Sequence, residues 1–276
     1  MVSGATGSVG REVVSQLLDT GARVRALTRN PDRANLPAAV DVAHADMSSP
    51  ASLTGPLADV RSVFLVWPFT SPEAASEIAP AVVEAIAGVA QRIVYLSAEA
   101  AERRPESFWA SLERLVERSG AEWTFLRPTG FAKNTLMWAD QIRTTGVVRW
   151  PYAAAARSLI DERDVAAVAV RALTDDRHGR ATYVLSGPAT LTQAEQVQAI
   201  GEAIGRPLRF EEVSPEDVRP ALVESLGEEP FADGALRTWA GFVDQPERTT
   251  SVVEEVVGRP AHSFLEWARY HADDFL

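Results

Sequence analysis

Cysteine is absent from the 276 residues. That excludes disulfides, thiolate metal sites, iron–sulfur ligation and cysteine nucleophiles, and leaves only oxygen- and nitrogen-based chemistry. Lysine is nearly absent as well: Lys133 is the one lysine among 27 basic residues. No apolar run reaches the ~18 residues that a membrane span requires, and no basic stretch followed by an apolar signal core opens the sequence. A cytoplasmic protein with no membrane partner is therefore expected. The four histidines, His44, His178, His262 and His271, follow no metal-ligand spacing, so no metal is expected. Basic clusters are missing too, and a formal charge of −11 repels phosphate backbones, so no nucleic-acid partner is expected.

What is present is ordinary globular composition, 46% hydrophobic and 24% charged, enough for one large core and a smaller one. Residues 1–127 alternate β-branched runs with helical patterns. Residues 24–27, 62–66, 92–96 and 123–126 read as buried strands. Val9, Val13, Val14, Leu17 and Leu18 line one helical face that stops at Gly21, and Phe108, Leu112, Leu115 and Val116 line another before Gly120. This alternation predicts an α/β fold: a Rossmann-type doubly wound parallel sheet with helices on both faces, plus a smaller, mostly helical C-terminal domain. The expected boundaries are 1–150 for the dinucleotide domain and 151–276 for the substrate domain, with about 156–186 returning to the sheet. In the later part, Thr192-Gln-Ala-Glu195 fits a capping box, and Ser214 precedes a proline suited to a first helical position.

The sequence opens with Gly4-Ala-Thr-Gly7-Ser-Val-Gly10 between a short strand and the first helix. Gly4 suits the tight turn, Gly7 lets backbone approach a pyrophosphate, and Gly10 allows close helix packing, with helix N–H groups facing the anion. Only three residues precede Gly4, where such a strand normally runs ~5–6, so either the strand is short or the natural start lies upstream. An NAD site wants a carboxylate at the end of the second strand. This sequence has Thr28-Arg29-Asn30 there, and Arg29, assisted by Arg33, suits a 2′-phosphate. NADP(H) is the expected cofactor, ahead of NAD(H).

These residues, continued by Val24-Arg-Ala-Leu-Thr-Arg-Asn-Pro31, Ala45-Asp46-Met47, Val94-Tyr-Leu-Ser97 and Leu126-Arg-Pro-Thr-Gly-Phe131 with Asn134, resemble the NmrA-like atypical short-chain dehydrogenase/reductases. The likeness extends through Ile160-Asp161, Arg163-Asp164-Val165-Ala166 and Gly258-Arg-Pro260. It implies that Gly4, Thr6, Gly7, Ser8 and Val9 hold the pyrophosphate and that Asp46 and Met47 border the adenine. It further implies that Val66-Trp67-Pro68 passes under the cofactor, Ser97 flanks the nicotinamide ribose, and Pro128-Thr129-Gly130 meets the nicotinamide. A cleft between domains would receive the substrate.

Short-chain dehydrogenases usually protonate a carbonyl with a tyrosine whose pKa is lowered by a lysine four residues later. Tyr95, Tyr152, Tyr183 and Tyr270 are followed at that spacing by Glu99, Ala156, Gly187 and Asp274, so the dyad is absent. Lys133 follows Thr129 by four, but a threonine hydroxyl is too weak an acid to replace a phenol. The catalytic candidates that remain are Ser97, Trp109, Tyr152 and Lys133, with Lys133 equally a substrate or cofactor contact or a solvated helix end. Phe69, Trp109, Phe131, Asn134, Trp138 and Tyr152 are the substrate candidates, and with Trp67 and Trp150 they give the bulk a flat aromatic ligand wants, although core packing accounts for half of that bulk equally well. Quinone-like acceptors take hydride onto a conjugated system and need positioning more than a strong acid. The expected function is an NADPH-dependent oxidoreductase acting on a quinone-like or polycyclic aromatic small molecule, as in natural-product tailoring. A non-catalytic redox sensor is the alternative, and oxygenation or isomerisation on the same scaffold is a third reading. The sequence does not separate a monomer from a homodimer.

Overall fold

The structure, a computed structural model, describes residues 1–69, 71–227 and 229–276, without the side chains of Pro72 and Leu226. The chain forms two units: Met1–Thr129 with Glu162–Leu185 and Val252–Arg259, and Gly130–Asp161 with Ser186–Ser251 and Pro260–Leu276. The chain leaves the first unit at Thr129, directly after strand Glu122–Pro128, and not at residue 150. It comes back with helix Glu162–Thr174, which packs on helix Ser8–Asp19, and with strand Ala181–Leu185, which pairs with Glu122–Pro128.

The sheet of the first unit is parallel throughout. Asp41–His44 pairs with Arg25–Thr28, and Ser62–Leu65, Arg92–Leu96, Glu122–Pro128 and Ala181–Leu185 follow one another in order. Val2 joins the two groups by bridging Ala26 and Phe64. Its N–H donates to Arg25, its carbonyl accepts from Leu27, and the Met1 carbonyl and Ser3 N–H bond Phe64 on the other side. The short first strand therefore satisfies its backbone on both sides with three residues. Ile93, Val94 and Tyr95 are each 0% exposed, so both faces of the sheet are covered, which is why the strands read as unbroken apolar runs.

Local signals account for the helix ends. Ser8–Asp19 buries Val9, Val13, Val14 and Leu17 and stops at Thr20, after which Gly21 turns left-handed at φ 76°. Phe108–Arg118 starts with the Ser107 hydroxyl accepting from the Ala110 N–H and ends before Gly120 at φ 86°.

The second unit is mostly helical. Gln193–Ala203, Pro215–Leu226, Glu229–Asp244 and Phe264–Tyr270 surround a core that includes Trp138, Ile142, Val148, Trp150, Ile200 and Trp267. Thr192 and Ser263 each form a complete capping box. Two short strand pairs complete it: Val147–Trp150 with Arg209–Glu212, and Ala156–Arg157 with Leu191–Thr192. Among the described residues no helix is long and apolar enough to cross a membrane.

Candidate functional site

The strand order reverses at Val2, so the first crossover loop leaves the sheet at its switch point, on the carboxyl side of the strands, where open α/β sheets bind ligands. The loop is compact: Gly4 stands at φ 61° and its carbonyl accepts from the Gly7 N–H at 2.9 Å. A Cβ on Gly10 would lie 2.1 Å from the Gly4 carbonyl oxygen, and one on Gly7 would lie 3.2 Å from it. Gly10 is thus required by contact between the helix and its own loop. Gly7 is the N-cap of Ser8–Asp19 and brings no side chain to cap it, so the first helix N–H groups are left for an anion. This cradle fits a dinucleotide pyrophosphate. A Cβ on Gly4 would touch that of Val66 at 3.0 Å, so 66–68 borders the loop, and the Ser3 hydroxyl fixes Val66 by accepting from its N–H at 2.7 Å.

Thr28 ends the second strand and its hydroxyl accepts from the Asn30 N–H at 3.1 Å. Arg29 and Arg33 are exposed, and among the described residues no hydrogen bond or ion pair engages either guanidinium. No carboxylate closes this strand end. Asp46, in the next turn, has its pKa lowered, first by the backbone N–H and hydroxyl of Ser48 and to a smaller degree by the charge of Arg29. Met47 beside it is buried.

Trp67 is buried against Phe69, with ring centroids 5.1 Å apart, and its indole N–H has no hydrogen-bond partner among the described residues. One strand further, Ser97 is 4% exposed and donates its hydroxyl proton to Glu113 at 2.6 Å. Glu113, itself 6% exposed, accepts from the Arg127 Nε at 2.9 Å and Nη2 at 2.7 Å. With its proton committed, Ser97 faces anything else as an acceptor. Tyr95 lies behind it, fully buried, and its hydroxyl is unpartnered among the described residues. Burial, and secondly the charge of Glu113, push its phenol far above the ordinary range, so it serves no acid role. The Pro128 carbonyl accepts from the Glu99 N–H at 3.0 Å and the Thr129 N–H donates to Leu185, fixing the end of the strand. The 4–10 loop and residues 28–33, 45–47, 66–69, 97 and 128–129 thus share one edge of one sheet.

Residues 1–242 match the model of the NmrA-like family. The chain belongs to that family. It is 39% identical to (4-alkanoyl-5-oxo-2,5-dihydrofuran-3-yl)methyl phosphate reductase of Streptomyces griseus, over 100% of this chain and 98% of that protein. It is 33% identical to an NAD(P)H azoreductase of Xenophilus azovorans, with the same shares covered. Among solved structures, the NADPH-dependent quinone oxidoreductase QOR2 of Escherichia coli complexed with NADPH superposes at a TM-score of 0.80, with 22% identity and 98% of both chains covered.

The remaining candidate residues lie in other surroundings. Trp109, in the first unit, is half-buried against Phe108 at 4.1 Å. Gly130, Phe131, Lys133, Asn134, Trp138 and Tyr152 belong to the second unit. A Cβ on Gly130 would lie 2.3 Å from the Arg157 guanidinium, so that glycine makes room for an arginine. Trp138 is 2% exposed and Trp150 5%, packed edge to face at 6.2 Å in the core of the second unit. Phe131 is half-buried and Asn134 exposed, whereas Lys133 is half-buried with no ion-pair partner among the described residues. Tyr152 takes a left-handed φ of 61°, held by Gln193, whose amide donates to the carbonyls of Pro151 and Tyr152 at 3.0 Å each. Sequence reading missed Arg11, Glu113 and Gln193. Of these Glu113 left a signal, as a carboxylate beside the apolar stripe of its helix with Arg127 in the Leu-Arg-Pro run. No group of three or more His, Asp or Glu side chains among the described residues is placed to hold a metal ion.

Proposed function

We propose that this protein transfers hydride from NADPH to an electron-poor conjugated acceptor, a quinone-like or polycyclic aromatic small molecule, as a tailoring step on a natural product. It is an oxidoreductase of the NmrA-like family, and what the site lacks narrows the reaction. The observation that carries the cofactor half is Arg29 at the end of the second strand, exposed and unengaged among the described residues, with an uncapped helix N-terminus in a glycine cradle on the same edge of the sheet. The loop from Gly4 to Val9 takes the pyrophosphate, Arg29 and Arg33 the 2′-phosphate, and Asp46 and Met47 the adenine. Val66, Trp67 and Pro68, Ser97, and Pro128 with Thr129 and Gly130 border the nicotinamide end. NADPH held there supplies a hydride.

The second half rests on the missing acid. Ser97 has its proton on Glu113, Tyr95 is sealed in the core, and no tyrosine precedes a lysine by four. An unactivated ketone needs proton donation as hydride arrives. A quinone, an azo bond or an unsaturated lactone spreads the incoming charge over its own conjugated system and takes its proton from water afterwards. Three relatives named for such acceptors support that reading. Phe69 and Trp109 are the substrate candidates of the first unit, and Phe131, Asn134 and Tyr152 those of the second, where the constrained backbone of Tyr152 suits a residue held for function. Lys133 is the cation available to an anionic substituent. The test compares kcat/KM for a small quinone, an azo dye and a saturated aliphatic ketone with NADPH. Conjugated acceptors turn over and the ketone does not. A ketone reduced as efficiently as the quinone overturns the assignment.

A further inference from the structure

Arg11 is the first charged residue after the glycine motif, on the exposed face of helix Ser8–Asp19. Its guanidinium donates to three backbone carbonyls: Nε to Thr6 at 3.0 Å, Nη1 to Asn35 at 3.0 Å and Nη2 to Ala34 at 3.2 Å. Thr6 belongs to the glycine loop. Ala34 and Asn35 close the turn after Pro31–Arg33, the short 3-10 helix that follows Arg29. Asn35 holds φ at 45°, a left-handed conformation that asparagine adopts more readily than most residues and that suits the end of a turn, and its carbonyl is one of the three acceptors. Within 30–34 the hydrogen bonds are otherwise local, Arg33 N–H to the Asn30 carbonyl and Ala34 N–H to that of Pro31. They shape the turn without fixing where it stands relative to the loop.

We propose that Arg11 is a specificity-determining positioning residue, which sets the distance between the glycine loop and the Arg29–Arg33 segment so that one dinucleotide meets both. The proposal rests on the NADPH reading above. The pyrophosphate and the 2′-phosphate of NADPH are a fixed covalent distance apart, so the two protein segments that receive them must hold a matching separation. NADH has no 2′-phosphate, so of the two segments only the loop receives phosphate from it. A strut between loop and turn therefore matters to one cofactor more than to the other. The planar, forked guanidinium reaches three carbonyls at once, and a lysine ammonium on the same stem does not.

The experiment is calorimetric binding of NADPH and of NADH to the wild type, Arg11→Met and Arg11→Lys, with amide hydrogen exchange of residues 33–36 in the free proteins. Both variants are expected to lose about tenfold in NADPH affinity, the scale of a lost charge-assisted hydrogen bond, and less than about threefold in NADH affinity. Exchange at 33–36 is expected to speed up while that of helix Ser8–Asp19 is unchanged. Equal losses for the two cofactors overturn the proposal, because they mark Arg11 as a support for the loop alone. A wild-type preference that survives in Arg11→Met also overturns it. A wild type that binds both cofactors alike overturns the NADPH reading, and the proposal with it.

Discussion

Exchanging Arg29 for aspartate puts a carboxylate where a 2′-phosphate would bind and where a ribose hydroxyl could donate. NADPH affinity is expected to fall by about 10- to 100-fold, the worth of one or two charge-assisted bonds, while NADH affinity holds or rises, as read by fluorescence quenching. Equal losses would remove the 2′-phosphate from Arg29. Position 29 could be singled out in the sequence because cofactor chemistry favours one of two charges there. Glu113 left only a faint signal, because its importance comes from Ser97 and Arg127, 16 and 14 residues away, which only the folded sheet brings to its carboxylate. In Glu113→Ala the buried Ser97 hydroxyl loses its acceptor, while the partly exposed Arg127 guanidinium keeps Glu102, 3.6 Å away. A buried polar group left without its partner costs about 1–3 kcal/mol, so the variant should unfold at lower denaturant concentration, and an unchanged midpoint would show that Ser97 finds another partner.

At the scale of elements, the caps and turn glycines carried most of the information. Thr192, Ser214, Gly21 and Gly120 act locally, and a local rule needs no knowledge of the fold. The first strand was read as three residues, and its backbone hydrogen bonds run to neighbours on both sides, from residues 25–27 and 62–64. Aromatic residues were harder. Trp138 and Trp150 read as cleft walls because bulk in a sequence carries no direction, yet both pack into the second unit's core. The glycine loop makes a sharper demand. Gly10→Ala forces a Cβ to within 2.1 Å of the Gly4 carbonyl oxygen, so the loop or the helix start must move. Binding of NADPH and NADH should fall together, with about 1–3 kcal/mol lost in stability as for other overpacked sites. Loss of one cofactor alone would place the effect elsewhere.

Across the whole molecule, the parallel sheet and its partner unit were legible from alternating patterns, but the boundary was not. Composition changes near Trp138 to Trp150, whereas the chain leaves the first unit at Thr129, because the end of a strand rather than a shift in composition marks the exit. One global property follows from a single buried base. His178 is 9% exposed, its Nδ1 lies 2.8 Å from the Tyr183 hydroxyl, and burial holds its imidazole below the ordinary pKa. The unfolded chain therefore takes up the proton first as the pH falls. The stability His178 contributes is complete above the ordinary histidine range and is lost progressively as the pH drops toward the folded pKa. Between about pH 7 and 5, the thermal midpoint of the wild type should fall more steeply than that of His178→Gln, and parallel slopes would exclude His178 as the source.

The central claim is that the site spends NADPH on a conjugated acceptor. The direct measurement follows NADPH oxidation by the purified protein with a panel of a small quinone, an azo dye and an acyl-substituted unsaturated lactone phosphate. Oxidation in step with reduction of at least one acceptor, and faster with NADPH than with NADH, is the predicted result. Tight NADPH binding with no acceptor consumed across the panel would contradict it, and would mark the protein as one that senses the cofactor.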